Sequence, residues 1–280
     1  MEKALRKYFL LFVGPTLAAF VIAFVVPFVM GVLLSFSRFS TVTDAEWVGF
    51  GNYIRAFSNP DFIDALRLSA AFTLVSVLVI NVAAFALALL LTRGVTGTNV
   101  FRTLIFKPNL IGGIVLGYIW QFIINGFLGF FGVTITANPV YGFWGMVILS
   151  NWQFIGYMMI IFIAGLQNIP SEILEAAKID GAGGFTILRK ILVPMVMPSI
   201  TITLFMTVTN SFKMFDQNLA LTAGGPGKRT ALVALDIYNT FYSRANWEGV
   251  GQAKAMMFFI MVVLISLVQL GITRRREVIS

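Results

Sequence analysis

The chain has 280 residues, 58% of them hydrophobic and only 11% charged, with a net charge of +8. So few charges cannot clothe a soluble globular domain of this length, and the composition is that of a polytopic membrane protein. With no cysteine and no histidine, disulfides, thiol chemistry and the commonest metal ligand and proton shuttle are excluded.

Uncharged runs long enough to cross a bilayer, roughly 20 residues each, place the spans in chain order. The first covers residues 8–37. It follows Lys3, Arg6 and Lys7, but it is too long for a signal-peptide core and lacks a small-residue cleavage site, so it reads as a retained anchor. The second covers 68–92. A long apolar stretch from Pro108 to Ser171 is broken by Gly126, Gly129, Gly132, Asn138 and Pro139 and divides into helices near 108–125 and 142–166. A polar loop at 167–194 precedes the last two spans, 195–214 and 255–273. The expectation is an all-α membrane protein: six transmembrane helices forming one transmembrane domain over residues 1–280.

Orientation follows from the basic residues. With the N-terminus inside, 12 basic residues face the cytoplasm, among them Arg93, Arg102, Lys107, Lys178, Arg189, Lys190 and Arg274–Arg276, against 8 outside on longer loops. Five acidic residues lie inside and seven outside, so both termini and the 167–194 loop are expected to be cytoplasmic. The positive balance is this basic inner rim and calls for no nucleic acid.

The first four spans hold no ionisable residue, which speaks against coupling to protons or sodium through buried carboxylates. Lys213 and Asp216 approach the membrane at the outer end of span five and read as a structural ion pair or, less simply, a coupling site. The stretch "TAGGPGKRT" resembles a phosphate-binding loop faintly. Thr222 stands where that loop needs glycine and Arg229 where it needs Ser or Thr, so the energy source is expected outside this chain.

Polar residues at helical spacing mark a possible path through the membrane. Thr207, Asn210, Ser211 and Met214, spaced 3, 4 and 7 from the first, share one helical face of span five. Trp152, Gln153 and Tyr157 lie on span four, Gln121 and Asn125 on span three, and Asn81 on span two. Each set has two readings: lining for a cavity, or polar glue between helices. Asn81 alone suits an interhelical hydrogen bond, and the Gln121/Asn125 pair leans towards packing.

The polar loop "PSEILEAAKIDGAGGFTILRKILVP" reads as two short amphipathic helices with a hinge. Ser171 is the expected N-cap, Glu172 and Glu175 suit the first turn, Gly181 suits a left-handed C-cap, and Pro194 is expected to end the second helix. This loop resembles the signature element of the membrane subunits of bacterial ABC importers. That element is EAA, three residues, Gly, nine residues, then Ile-x-Leu-Pro; here it is Glu175-Ala176-Ala177, Gly181, Ile191 and Pro194, with Val193 replacing the Leu. The stretches "AGLQNIPSEILEAAKIDGAGG", "GFGNYIRAFSNPDF" and "LTAGGPGKRTALVALDIYNTFY" are similar to the carbohydrate-uptake branch, and "LTAGGP" to its maltose- and glycerol-phosphate-type first permease subunit.

The resemblance implies a permease subunit of a bacterial cytoplasmic membrane importer, not itself an enzyme. It would bind no metal or cofactor, because ATP and Mg would sit on two separate ATPase subunits. Other implied partners are a second, homologous permease, an extracytoplasmic solute-binding protein and a sugar or related polyol. Glu175, Ala176, Ala177, Asp180 and Gly181 would couple to the ATPase. Trp152, Gln153, Tyr157, Thr207, Asn210, Ser211 and Met214 match positions lining the sugar site of maltose-type relatives. External residues Trp47, Asn52, Tyr53, Gly224, Gly225 and Pro226 would contact the binding protein or simply form folded turns. The alternatives are a glycerol-phosphate ABC permease and an ion-coupled secondary transporter.

Overall fold

Pro27 and Pro194 sit inside apolar helical runs, each directly after a valine, and the chain treats them alike. Before Pro27, residues Val21–Val25 form a π turn in which Val26 N–H reaches Val21 O; before Pro194, Leu188–Leu192 do the same, with Val193 N–H on Leu188 O. The ladder slips by one residue, and each proline, which has no N–H to give, falls in the first turn of a new helical segment. Pro194 therefore does not end its helix, contrary to the sequence expectation. The helix continues to Met195 and turns at Val196.

The computed structural model describes residues 2–94 and 96–274, with the side chains of 2–10 and Val42 left aside. Arg275 and Arg276 of the expected basic rim lie outside the described residues, as do the side chains of Lys3, Arg6 and Lys7.

The chain divides into two compact units. One runs to Phe62 and includes Ile237–Phe259; the other holds Ile63–Asp236 and the chain from Ile260 onward. In the first, α1 (Glu2–Phe20), the π turn and α2 (Val26–Ser35) form a continuous rod. A two-stranded antiparallel hairpin, β1 (Ser37–Arg38) with β2 (Glu46–Trp47), pairs Ser37 with Trp47. In its loop the Asp44 carboxylate accepts the N–H groups of Thr41 and Ser40, which hold its carboxyl below the usual carboxylate range. The short helix α3 (Gly51–Phe57) follows.

The second unit is built on α4 (Pro60–Leu91, shared with the first unit), α5 (Thr98–Phe106), α6 (Gly113–Gly129) and α7 (Pro139–Gln167). Beyond α7 come α8 (Ser171–Ile179), α9 (Gly184–Ile187), α10 (Val193–Met195), α11 (Met197–Phe212) and α12 (Asp216–Thr222). The helices α13 (Val233–Tyr242) and α14 (Glu248–Arg274) each pass through both units. Among the described residues four apolar helices are long enough to cross a membrane, six if α5/α6 and α9–α10/α11, bent by 102° and 70°, each count as one span.

The observed helices overrun the expected spans at several ends. α4 starts at Pro60 rather than 68, and α14 starts at Glu248 rather than 255. The expected third span does not begin as a helix at 108. Residues Lys107–Leu110 form a 3-10 turn, and α6 starts only at Gly113.

The deepest element of the second unit is α7. Its buried Met146, Val147 and Leu149 join Phe72 of α4, Leu116 of α6 and Leu221 of α12 in one cluster, and Met158, Met159 and Phe162 join Ile80, Ala84 and Ala88 in another. Gly156 lets α5 pack closely on α7. A methyl group there would collide with the backbone of Ile105 and Phe106, which cannot withdraw as a side chain could.

Candidate functional site

The elbow between α7 and α11 is capped by its own backbone. Gly181 N–H donates to Lys178 O at 3.0 Å and Ala182 N–H to Ala177 O at 2.9 Å, the paired bonds of a Schellman C-cap. Gly181 has φ +76°, where L side chains strain, and nothing lies within 4 Å of where a Cβ would sit. Conformation, not space, asks for glycine here. At the other end, Pro170 occupies the cap position with extended backbone, and the expected cap Ser171 is the first helical residue, making no capping bond.

Two faces of α8 differ. Ala177 is buried against its own chain, whereas Glu172, Glu175, Ala176, Ile179 and Asp180 are exposed. The two alanines therefore do not form one face. Ile179 is 85% exposed and Phe185, just beyond the cap, 74%. Such apolar side chains on a charged elbow leave a contact surface that the chain itself does not fill.

The polar residues expected along a path divide between two fates. Thr207 is buried, accepts a hydrogen bond from Asn81 Nδ2 at 2.9 Å and donates to Thr203 O at 2.7 Å, so it joins α11 to α4. Asn81 is thus the interhelical bond its isolation suggested. Gln153 is buried; its Oε1 accepts from Gln217 Nε2 at 2.8 Å and its Nε2 donates to Ile111 O at 3.4 Å. Gln121 and Asn125 are structural too, with Gln121 Nε2 donating to Leu221 O and Asn125 Oδ1 accepting from Ile135 N.

Met214 lies past the end of α11, which stops at Phe212, and packs in the cluster with Phe72 and Leu116. The premise of one helical face from Thr207 to Met214 fails there. For the same reason Lys213 and Asp216 are not a turn apart on one helix; both are exposed, and Asp216 opens α12. Ser211 is buried and Asn210 half-buried. Trp152 stays 45% exposed, its ring meeting Trp120 edge-on at 5.6 Å, and Tyr157 is half-buried beside Phe106. Among the described residues no hydrogen bond or ring contact joins Trp152, Gln153 or Tyr157 to Thr207, Asn210, Ser211 or Met214.

The "LTAGGPG" stretch is a brace. Asn218 donates to Thr230 O at 2.8 Å and to Thr222 Oγ1 at 3.1 Å, and accepts from Leu232 N at 2.8 Å. Thr230 Oγ1 donates to Thr222 Oγ1 and to Gly225 O. Gly224 is buried, whereas Gly225 and Pro226 are half-buried, so this part of the expected binding-protein surface is largely a folded turn. Asn52 is also turned inward; Trp47 remains exposed and Tyr53 half-buried.

Sequence reading passed over Gln217 and Asn218, whose signal was two adjacent amides at the start of an apolar helix. It also passed over Lys254, placed just before the sixth span. Lys254 is in α14, fully buried, donating to Thr240 Oγ1 at 2.8 Å with its ammonium over the Phe62 ring.

Residues 93–278 match the family described as the binding-protein-dependent transport system inner membrane component. The chain is 40% identical to a probable starch degradation products transport system permease protein of Thermoanaerobacterium thermosulfurigenes, over 97% of this chain and 95% of that one. It is 29% identical to a trehalose/maltose transport system permease protein of Thermococcus litoralis, over 92% and 90%. Among solved structures it superposes with TM-score 0.82 and 20% identity on a chain of a bacterial ABC transporter that imports the acidic polysaccharide alginate, covering 98% of each. The chain belongs to the binding-protein-dependent inner membrane component family: it is a membrane-embedded permease of an ABC importer rather than an enzyme.

Proposed function

We propose that this chain carries a sugar or sugar oligomer across the cytoplasmic membrane as one of two homologous permease subunits, driven by two separate ATPase subunits that bind ATP and Mg. The observation that carries the reading is the elbow: a self-capped, charged hairpin with Ile179 and Phe185 outside, in a chain of this importer family. Relatives named for starch degradation products, trehalose and maltose, and arabinooligosaccharides support a saccharide; one named for sn-glycerol 3-phosphate keeps a polyol phosphate within the class.

The elbow face of Glu172, Glu175, Ala176, Ile179 and Asp180 docks on the ATPase inside the cell, with the N-terminus on the same side. Closure of the ATPase pair moves the docked elbow, and α7 and α11, attached at its two ends, carry the motion into the membrane domain as alternating access. Trp152, Tyr157 and Asn210, the expected path residues that keep exposure, face the cargo. Gln153, Thr207, Ser211 and Met214 hold the helices that present them. A solute-binding protein delivers the cargo outside. Coupling to an ion gradient is not favoured in a binding-protein-dependent family.

The test is reconstitution of the chain with its companion permease, ATPase and binding protein in vesicles, offered labelled mono- and oligosaccharides and glycerol 3-phosphate. Uptake of a saccharide only with enclosed ATP is expected. Uptake indifferent to ATP but abolished by a protonophore would overturn the reading.

A further inference from the structure

The short helix α3 is built inside out for a segment bathed in water. Asn52 and Tyr53 turn towards the protein, while Arg55 stays exposed. Asn52, 3% exposed, donates to Ser35 O at 3.1 Å and Ser37 O at 2.8 Å. The Tyr53 hydroxyl meets Ser35 Oγ at 2.7 Å, and the Arg55 guanidinium lies over the Trp247 ring, 4.7 Å from its centroid. Its outward face is apolar instead. Phe50, Ile54 and Phe57, spaced four and three apart on one helical stripe, are 69%, 65% and 61% exposed, and Trp47 beside them is 67% exposed. The Phe36 ring braces the patch from beneath, its centroid 5.4 Å from that of Trp47 and 5.3 Å from that of Phe50.

The same bonds set the depth of this patch. Ser35 is the last residue of the apolar span Leu11–Ser35, whose most apolar window is nowhere buried within the chain. Helix α3 is hydrogen-bonded to Ser35 itself, so it lies where that span leaves the hydrocarbon. Its stripe carries the aromatic enrichment that suits a membrane–water boundary. A helix with an apolar face out and amides in is stable against an apolar neighbour, and at this depth that neighbour is lipid.

We propose that α3 and Trp47 form an interfacial anchor, with Trp47, Phe50, Ile54 and Phe57 seated among the headgroups and first acyl carbons of the leaflet where span one ends. The anchor pins the Ser35 end of span one at a fixed depth. It goes beyond the transport reading and requires only that Leu11–Ser35 crosses the bilayer.

The chain has no cysteine, so single-cysteine variants report one position each. Phe50→Cys, Ile54→Cys and Phe57→Cys would be spin-labelled in the full chain, purified with its accompanying subunits in phosphatidylethanolamine–phosphatidylglycerol vesicles. Ala45→Cys, in the exposed hairpin loop, is the aqueous reference, and Met30→Cys, in span one, the lipid reference. The ratio of collision with oxygen to collision with a water-soluble nickel chelate is expected to exceed the Ala45 value several-fold at all three sites and to fall short of the Met30 value. A ratio equal to that at Ala45 would mean a water-facing surface and overturn the proposal. Low collision with both reagents would mean that a protein subunit covers the patch, and would overturn it equally. The three side chains are mostly exposed, and agreement among them guards against a single disturbed variant.

Discussion

The brace at residues 217–232 and the elbow at 171–195 look alike in sequence, both polar, glycine-bearing interruptions between apolar helices, and they fold on opposite principles. In the brace, Asn218, Thr222 and Thr230 are buried and bonded to one another and to backbone groups of the same turn. The elbow is held by backbone bonds close in sequence, and most of its side chains face outward. One polar segment completes the interior of its own chain; the other keeps its surface for something else. A buried amide must be fully paired or it costs stability, whereas an exposed elbow can change partners without unfolding.

Substitutions can sharpen that contrast. Asn218→Leu should have the largest effect, because it leaves Leu232 N–H and Thr230 O buried without partners; a loss of about 3–5 kcal/mol is expected, read as a lowered melting temperature in detergent. Thr222→Val removes the hydroxyl that receives the Asn218 and Thr230 bonds while keeping the shape, and should cost about 1–2 kcal/mol in the same measurement. Gly181→Leu forces a branched side chain into the left-handed region, for about 1–2 kcal/mol confined to the elbow. Assembly should persist while uptake per ATP hydrolysed falls, and Gly181→Asn, which tolerates that conformation better, should restore most of it. If Gly181→Leu transported normally, the cap would have no part in coupling.

Ile179→Asp should change stability least, within about 0.5 kcal/mol, since the side chain touches little of its own chain. It should nevertheless weaken ATPase co-purification several-fold. An unchanged complex would show that this exposed face is not where the subunits meet, and the contrast between the two segments would lose its meaning.

Much of the architecture was legible because membrane spans are a property of local composition: a run of apolar residues needs no distant partner to be recognised. The Gly181 cap was legible for a related reason, since the left-handed backbone is a preference of one residue. The misreadings share a cause as well. Pro194 was expected to end a helix, but a π turn five residues long re-registers the ladder ahead of it, and no local propensity announces that slip. The face from Thr207 to Met214 assumed a helix that stops at Phe212.

The candidate path fared similarly. Spacing placed Gln153, Tyr157, Thr207 and Asn210 on helices but could not say which looked inward. That was decided by partners far along the chain: Gln217 for Gln153, 64 residues on, and Asn81 for Thr207, 126 residues back. The burial of Lys254 rests likewise on Thr240 and Phe62, brought to it by packing.

By itself the sequence determined that this is a membrane protein of helical spans with a polar, glycine-capped elbow, because hydropathy and backbone preference act over a few neighbouring residues. Only the tertiary structure decided which polar side chains are spent on holding helices together and which stay available. A hydrogen-bonding group is satisfied by whatever the fold brings within 3 Å of it, and that neighbour is seldom near in sequence.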